Sequence, residues 1–250
     1  MSKLLEICVD SLVSARYAIA AGADRLELCS ALAVGGLTPY TALRRQIRAE
    51  SDVPIRCLMR TRPGDFLYDK DELELLRQQI LELRGAGADG FVIGCLTPEG
   101  FLDKAAMKPL VEACGSCGIT LHRAIDVSAD LEQTYRDAME LGLDTVLTSG
   151  GAPSCRAGLE QIRHLIALRD ALHGPEVLIG ADVSPSVITH FRKEIPGVCA
   201  FHMSGKTERE SSMRFRREGV PMGLPGLDEW HIQQTDPSAV RAALEILTRG

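Results

Sequence analysis

Three times in this chain a Gly-x-Asp triplet closes a helical stretch and leads into a short apolar run. Gly22-Ala23-Asp24 precedes RLELC, Gly87-Ala88-Asp89 precedes GFVIGC, and Gly142-Leu143-Asp144 precedes TVLTSG; Pro196-Gly197 before VCAFHMS is a looser fourth copy. Glycine just past a helix supplies a left-handed cap, and an apolar run of this length suits a strand buried on both faces. Helix, glycine, strand, repeated, belongs to an α/β fold with a parallel sheet.

The same reading extends to eight strands, near 4–9, 25–29, 54–60, 90–95, 119–124, 145–149, 177–180 and 199–203. Between them lie stretches such as SLVSARYAIAA, DELELLRQQILELRG, LEQTYRDAMELG and CRAGLEQIRHLIALRDAL, whose apolar residues return every three or four positions. Eight units spaced 21 to 36 residues apart with no linker between them predict one (β/α)8 TIM-like barrel over residues 1–250. The exception is a long loop at 204–236, rich in Gly, Pro, Ser and Arg, before a final helix AVRAALEILTRG. Long loops in compact domains are commonly lids, sites or interfaces.

Composition narrows the function. A net charge of −6 offers no basic surface for nucleic acid, and one Trp, four Tyr and six Phe give few stacking platforms. No apolar run of about 18 residues is present to cross a membrane. Glu6 and Asp10 interrupt the N-terminal stretch before a signal-peptide core forms, so a cytoplasmic protein with eight reduced cysteines is expected.

Strand residues alternate between faces, and in a barrel the outward face packs on apolar helices. Leu5, Ile7 and Val9 then point outward, leaving Glu6 and Cys8 inward; Leu26 and Leu28 point outward, leaving Glu27 and Cys29 inward. The same rule turns Arg60, His122 and His202 inward. Two carboxylates, an arginine and two histidines thus converge where barrel sites lie, at the C-terminal ends of the strands. A buried ion-pair network, with one Glu against Arg60, would account for part of the group.

The loops at that end are polar. Arg60-Thr-Arg62-Pro-Gly-Asp65-Phe66-Leu-Tyr68 follows strand three, and His122-Arg123-Ala-Ile-Asp126 follows strand five, with Asp126 expected to orient His122. After strand six, Ser149 and Gly150 in Thr148-Ser149-Gly150-Gly151 offer a hydroxyl and amides suited to an oxyanion or phosphate. After strand seven, Ser184-Pro185 reads as a helix cap. As an enzyme, the site would use Glu6 and Glu27 as acid and base, Arg60 to hold an anion, and His122 with Asp126, or His202, to move a proton on a small polar or anionic substrate. No organic cofactor is expected.

With Glu6, Cys8, Glu27, Cys29, the RxRPGDFxY segment, HRAxD and LTSG in order, the sequence resembles the CutC family, named for copper homeostasis. The likeness runs from LLEICVDS through GADRLELCSAL and GGLTP to MRFR at 213–216. It implies a TIM-like barrel, a cytoplasmic location, a homodimer or higher homo-oligomer, and Cu(I) binding or trafficking with Cys8 and Cys29 as ligands. Soft thiolates suit Cu(I), and adjacent strands about 4.8 Å apart bring two such sulfurs within bridging reach. Asp182 after strand seven and Met203 after His202 depart from the family's pattern, and a carboxylate at 182 argues against a standard barrel phosphate site.

The other cysteines carry less. Cys114-Gly-Ser-Cys117 is a lone CxxC at a helix C-terminus and reads as structural. Cys57 and Cys199 read as packing, and Cys95 and Cys155 as neutral thiols near the upper loops. Arg209 to Arg217 is basic with apolar anchors at Met213 and Phe215, a pattern that fits a cover for the barrel mouth, a contact with a second subunit or a solvated loop alike.

Overall fold

The structure is a computed structural model and describes residues 3–217, 219–220, 222–224, 226 and 228–249. Glu218, Pro221, Pro225 and Leu227 of the long loop therefore lie outside the described residues, as do the ends of the expected 1–250 domain.

Eight parallel strands pair in chain order and close on themselves: β1 (Leu4–Val9), β2 (Arg25–Leu28), β3 (Ile55–Leu58), β4 (Gly90–Ile93), β5 (Gly118–Leu121), β6 (Thr145–Thr148), β7 (Glu176–Ile179) and β8 (Ala200–Met203), with β8 against β1. The helices of the outer ring are α1 (Leu12–Ala20), α2 (Thr41–Glu50), α3 (Lys70–Gly85), α4 (Lys104–Cys114), α5 (Leu131–Glu140), α6 (Leu159–Leu172), α7 (Pro185–Glu194) and α8 (Pro237–Thr248). The chain is a single (β/α)8 barrel, as its strand and helix periodicity predicts.

Local chemistry starts these helices. Asp69 accepts from the Glu72 amide while the Glu72 carboxylate accepts from the Asp69 amide, a reciprocal cap for α3. Ser184 caps α7 with Pro185 in its first turn, as expected. The Gly-x-Asp echo has a tertiary meaning that periodicity does not show. Asp24 accepts from the Leu5 amide at 2.7 Å, Asp89 from Ile55 at 2.9 Å and Asp144 from Ile119 at 2.7 Å. Each aspartate precedes one strand and ties down the start of the strand before it, β1, β3 and β5 in turn.

Leu5, Ile7, Val9, Leu26, Leu28, Ile55, Phe91, Leu121 and Val146 are buried in the outer core between sheet and helices. Inside the barrel, Cys29, Leu58 and Val92 form one small apolar cluster and Leu147, Leu178 and Ala200 another. Beneath them, Arg56 crosses the floor to Thr120 Oγ1 at 2.5 Å, Thr145 Oγ1 at 3.1 Å and Asp144 Oδ1 at 2.6 Å. Glycine at two strand starts makes room for it: a Cβ on Gly90 would stand 2.8 Å from Arg56 Cγ, and one on Gly118 2.6 Å from Arg56 Nη2.

The loop expected over 204–236 contains regular structure. β9 (Lys206–Glu210) and β10 (His231–Thr235) form an antiparallel ribbon, because the polar KTERE and HIQQT segments pair with each other in a separate two-stranded sheet. The Thr235 amide donates to Ser14 Oγ and anchors the ribbon to α1. Met213 and Phe215 are exposed beyond it.

Candidate functional site

Glu6 and Cys8 on β1, Glu27 on β2, Cys29 just after it, Arg60 past β3, His122 past β5 and His202 on β8 all turn into the barrel, as the alternation predicts. Cys8, Glu27, Arg60, His122 and His202 line one cavity of about 230 Å³ at the mouth, with Phe66, Arg123 and Lys206 on its walls.

Glu6 is the hinge of the charge arrangement. Its Oε2 accepts from Arg25 Nε and its Oε1 lies 2.8 Å from His202 Nδ1. Burial pushes the carboxyl up, but the Arg25 charge and the His202 hydrogen bond and charge together hold it down at about 2. Glu27 takes the opposite course: burial raises its pKa, and the neighbouring Glu6 adds to this against the opposing His202 charge. For His202 burial opposes protonation, yet Glu27, Cys8 and Glu6 outweigh it and raise the imidazole well above its ordinary range.

His202 presents its other nitrogen to Glu27, with Nε2 3.8 Å from Glu27 Oε2. Donor atoms of Cys8, Glu27 and His202 all lie within 4.8 Å of one another, a group of three donors that could hold a metal ion. Cys29 turns its thiol to Glu27 Oε2 at 3.4 Å, and burial with the Glu27 charge pushes that thiol well up.

Two expected pairings and one expected cradle are corrected. Arg60 is not matched to a glutamate: its guanidinium donates to the carbonyls of Val34 (3.0 Å), Gly36 (3.2 Å) and Gly64 (2.8 Å), because the β2 and β3 loops fold over it. Arg25 takes the glutamate instead, a residue whose strand parity with Glu27 already pointed it inward. Asp126 does not orient His122. It accepts from Thr148 Oγ1, the Ser149 amide and hydroxyl, the Gly151 amide and Arg123 Nε, tying the β5 and β6 loops together. The Ser149 and Gly150 amides are consequently spent inside the loop, on Asp126 and on Thr148 Oγ1, rather than forming an oxyanion cradle.

His122 is held by other means. Its Nδ1 accepts from the Ala124 amide at 3.2 Å, its ring stands 4.6 Å from the Phe66 ring, and the Arg60 guanidinium lies 5.3 Å from the Phe66 centroid. Burial and the Arg60 charge lower its pKa to about 3. Phe66 was missed as a wall residue, although it lies inside the polar RxRPGDFxY segment. Cys57, Cys95 and Cys114 are buried, with thiols pushed up to about 12 by burial, and Cys155 to about 11. Cys117 donates to the Ala88 carbonyl at 3.4 Å, in keeping with a structural role for the CxxC.

A closed parallel barrel with a charged, thiol-bearing mouth defines the class. The CutC family pattern matches residues 3–207, and this chain belongs to that family. A family protein CutC of Vibrio parahaemolyticus is 38% identical over 239 residues, covering 94% of this chain and 95% of the relative. One from Chromobacterium violaceum is 37% identical over the whole of both chains. A solved structure of a CutC protein from Streptococcus agalactiae has a TM-score of 0.75 at 25% identity, and the match covers 81% of this chain and 98% of that one. No helix among the described residues is long and apolar enough to cross a membrane.

Proposed function

We propose that this barrel handles copper in the cytoplasm, taking Cu(I) as cargo at Cys8 Sγ and His202 Nε2, with Glu27 as the third donor. The observation that carries this reading is the approach of those three groups to within 4.8 Å. A thiolate and an imidazole are soft and borderline donors suited to Cu(I). Glu6, accepting from His202 Nδ1, fixes the ring so that Nε2 faces Glu27 and the mouth, the arrangement in which a carboxylate orients a metal-binding histidine. Cys29, one strand over with its thiol on Glu27, supplies a second sulfur close behind the site and is a reserve rather than the primary ligand.

An anaerobic competition titration of the reduced protein with Cu(I) tests this. Binding lost in Cys8→Ser and in His202→Leu, and retained within about threefold in Cys29→Ser, is the expected result. Binding that is absent in the unaltered chain, or indifferent to Cys8→Ser, refutes it.

A second reading is favoured by one observation. Glu6 and Glu27, two carboxylates facing opposite nitrogens of His202, have pKa values driven in opposite directions, the pattern by which an acid and a base are assigned in catalysis. In that reading the mouth performs proton transfer on a small polar or anionic substrate, and Glu6→Gln and Glu27→Gln each abolish turnover.

A further inference from the structure

Beyond the Cys8–Glu27–His202 donor group, the same cavity is lined by Arg60, Phe66, His122, Arg123 and Lys206. His122 is 4% exposed and its Nε2 has no protein hydrogen-bond partner. Because Nδ1 accepts from the Ala124 amide, the neutral ring carries its proton on Nε2, which makes this nitrogen a buried donor without an acceptor. A buried donor left unpaired costs free energy, so its retention beside a cavity points to an acceptor brought from outside.

The neighbours specify that acceptor. Arg60 Nε is likewise buried without a protein partner, Arg123 lines the cavity with its guanidinium held on Asp126 and Ser149, and the Lys206 side chain makes no hydrogen bond or ion pair among the described residues. Glu27, the carboxylate among the lining residues, faces His202. Leu58, Leu147 and the Phe66 ring supply apolar wall between these donors.

We propose that this part of the mouth binds a small organic carboxylate carrying a second oxygen on the neighbouring carbon, a 2-oxo or 2-hydroxy acid. The carboxylate meets the Lys206 ammonium at the rim, the second oxygen accepts from His122 Nε2–H, and the carbon chain lies along Phe66. A cavity of about 230 Å³ admits an acid of this size. The neutral state of His122 matches the role, since burial and Arg60 keep it uncharged across the physiological range. This names a ligand class for the second reading above but rests on binding alone, so turnover by Glu6 and Glu27 can fail while it stands.

The test is a calorimetric titration of the full-length, reduced, metal-free protein with pyruvate, lactate and the uncharged pyruvamide. Saturable binding of pyruvate or lactate, at least tenfold weaker for pyruvamide, is expected. His122→Phe, which keeps the packing on Phe66, should weaken binding at least tenfold, and Lys206→Gln about threefold, with Cu(I) affinity unchanged in both. In the unaltered chain pyruvate should also shift the 15N resonance of His122 Nε2, a readout independent of whether a variant folds. No saturable binding of either acid, equal binding of pyruvamide, or an unmoved His122 resonance at saturating pyruvate overturns the proposal.

Discussion

Glu6 and His202, 196 residues apart in sequence, meet at 2.8 Å where β1 closes on β8. The contact couples barrel closure to the site, since the same carboxylate also accepts from Arg25 on β2. Glu6→Gln removes the carboxylate that both Arg25 and His202 contact directly. Breaking such a group costs about 3–5 kcal/mol, read by urea denaturation at pH 7. If His202 is a metal ligand, Cu(I) affinity falls about 10–100-fold as well.

Acid should act through the same residue. Glu6 has a folded-state pKa of about 2 against an ordinary 4.5, so its stabilisation is present above 4.5 and is lost as pH falls toward 2. The stability difference between the unaltered chain and Glu6→Gln should therefore shrink across that window. A difference that stays constant from pH 5 to pH 2.5 contradicts the pairing.

His122 gives a second, separable pH dependence. Its pKa is depressed from 6.5 to about 3, so the unfolded chain takes up a proton that the folded chain refuses, and stability falls as pH drops from 6.5 toward 3. His122→Phe should flatten the stability curve between pH 6.5 and 4.5, above the Glu6 window. Chemical denaturation at half-unit intervals measures it.

Two glycines should respond oppositely to alanine. A Cβ on Gly90 would stand 2.7 Å from the Gly118 carbonyl oxygen, which is backbone and cannot swing aside, and the overpacking should cost about 1–3 kcal/mol. Gly85, at the end of α3, has nothing within 4 Å of the added carbon, so Gly85→Ala should stabilise by about 0.4–1 kcal/mol. Thermal unfolding of the two variants side by side gives the signs.

Thiol accessibility provides a further check. Cys29, Cys57, Cys95, Cys114 and Cys155 are buried with raised pKa values, so the folded protein at pH 8 should leave all five unmodified by iodoacetamide while denatured chain reacts throughout. Mass spectrometry of the digested protein identifies the sites. Early alkylation of Cys29 would mean that its thiol is not held on Glu27.

The barrel itself was legible in the order of residues. Apolar alternation in LLEICV and RLEL decides which side chains face the helices, because the outward side must meet an apolar ring and the pleat repeats every two residues. That is why Glu6, Cys8, Glu27, Cys29, Arg60, His122 and His202 could be turned inward from sequence alone. Partnership was not legible, because parity gives a face and not a neighbour. Arg25 shared its parity with Glu27 and yet paired with Glu6 across the strand register; Asp126, four residues from His122, was drawn instead to the β6 loop by two hydroxyls and two amides. Arg60 found backbone carbonyls where a glutamate was expected, since the loops after β2 and β3 close over it. The sequence determined the strand order, the inward set and the polar mouth through periodicity, which is a local property. The tertiary structure alone decided which inward groups touch, because charge pairing in a closed barrel depends on register and loop closure between residues far apart in the chain.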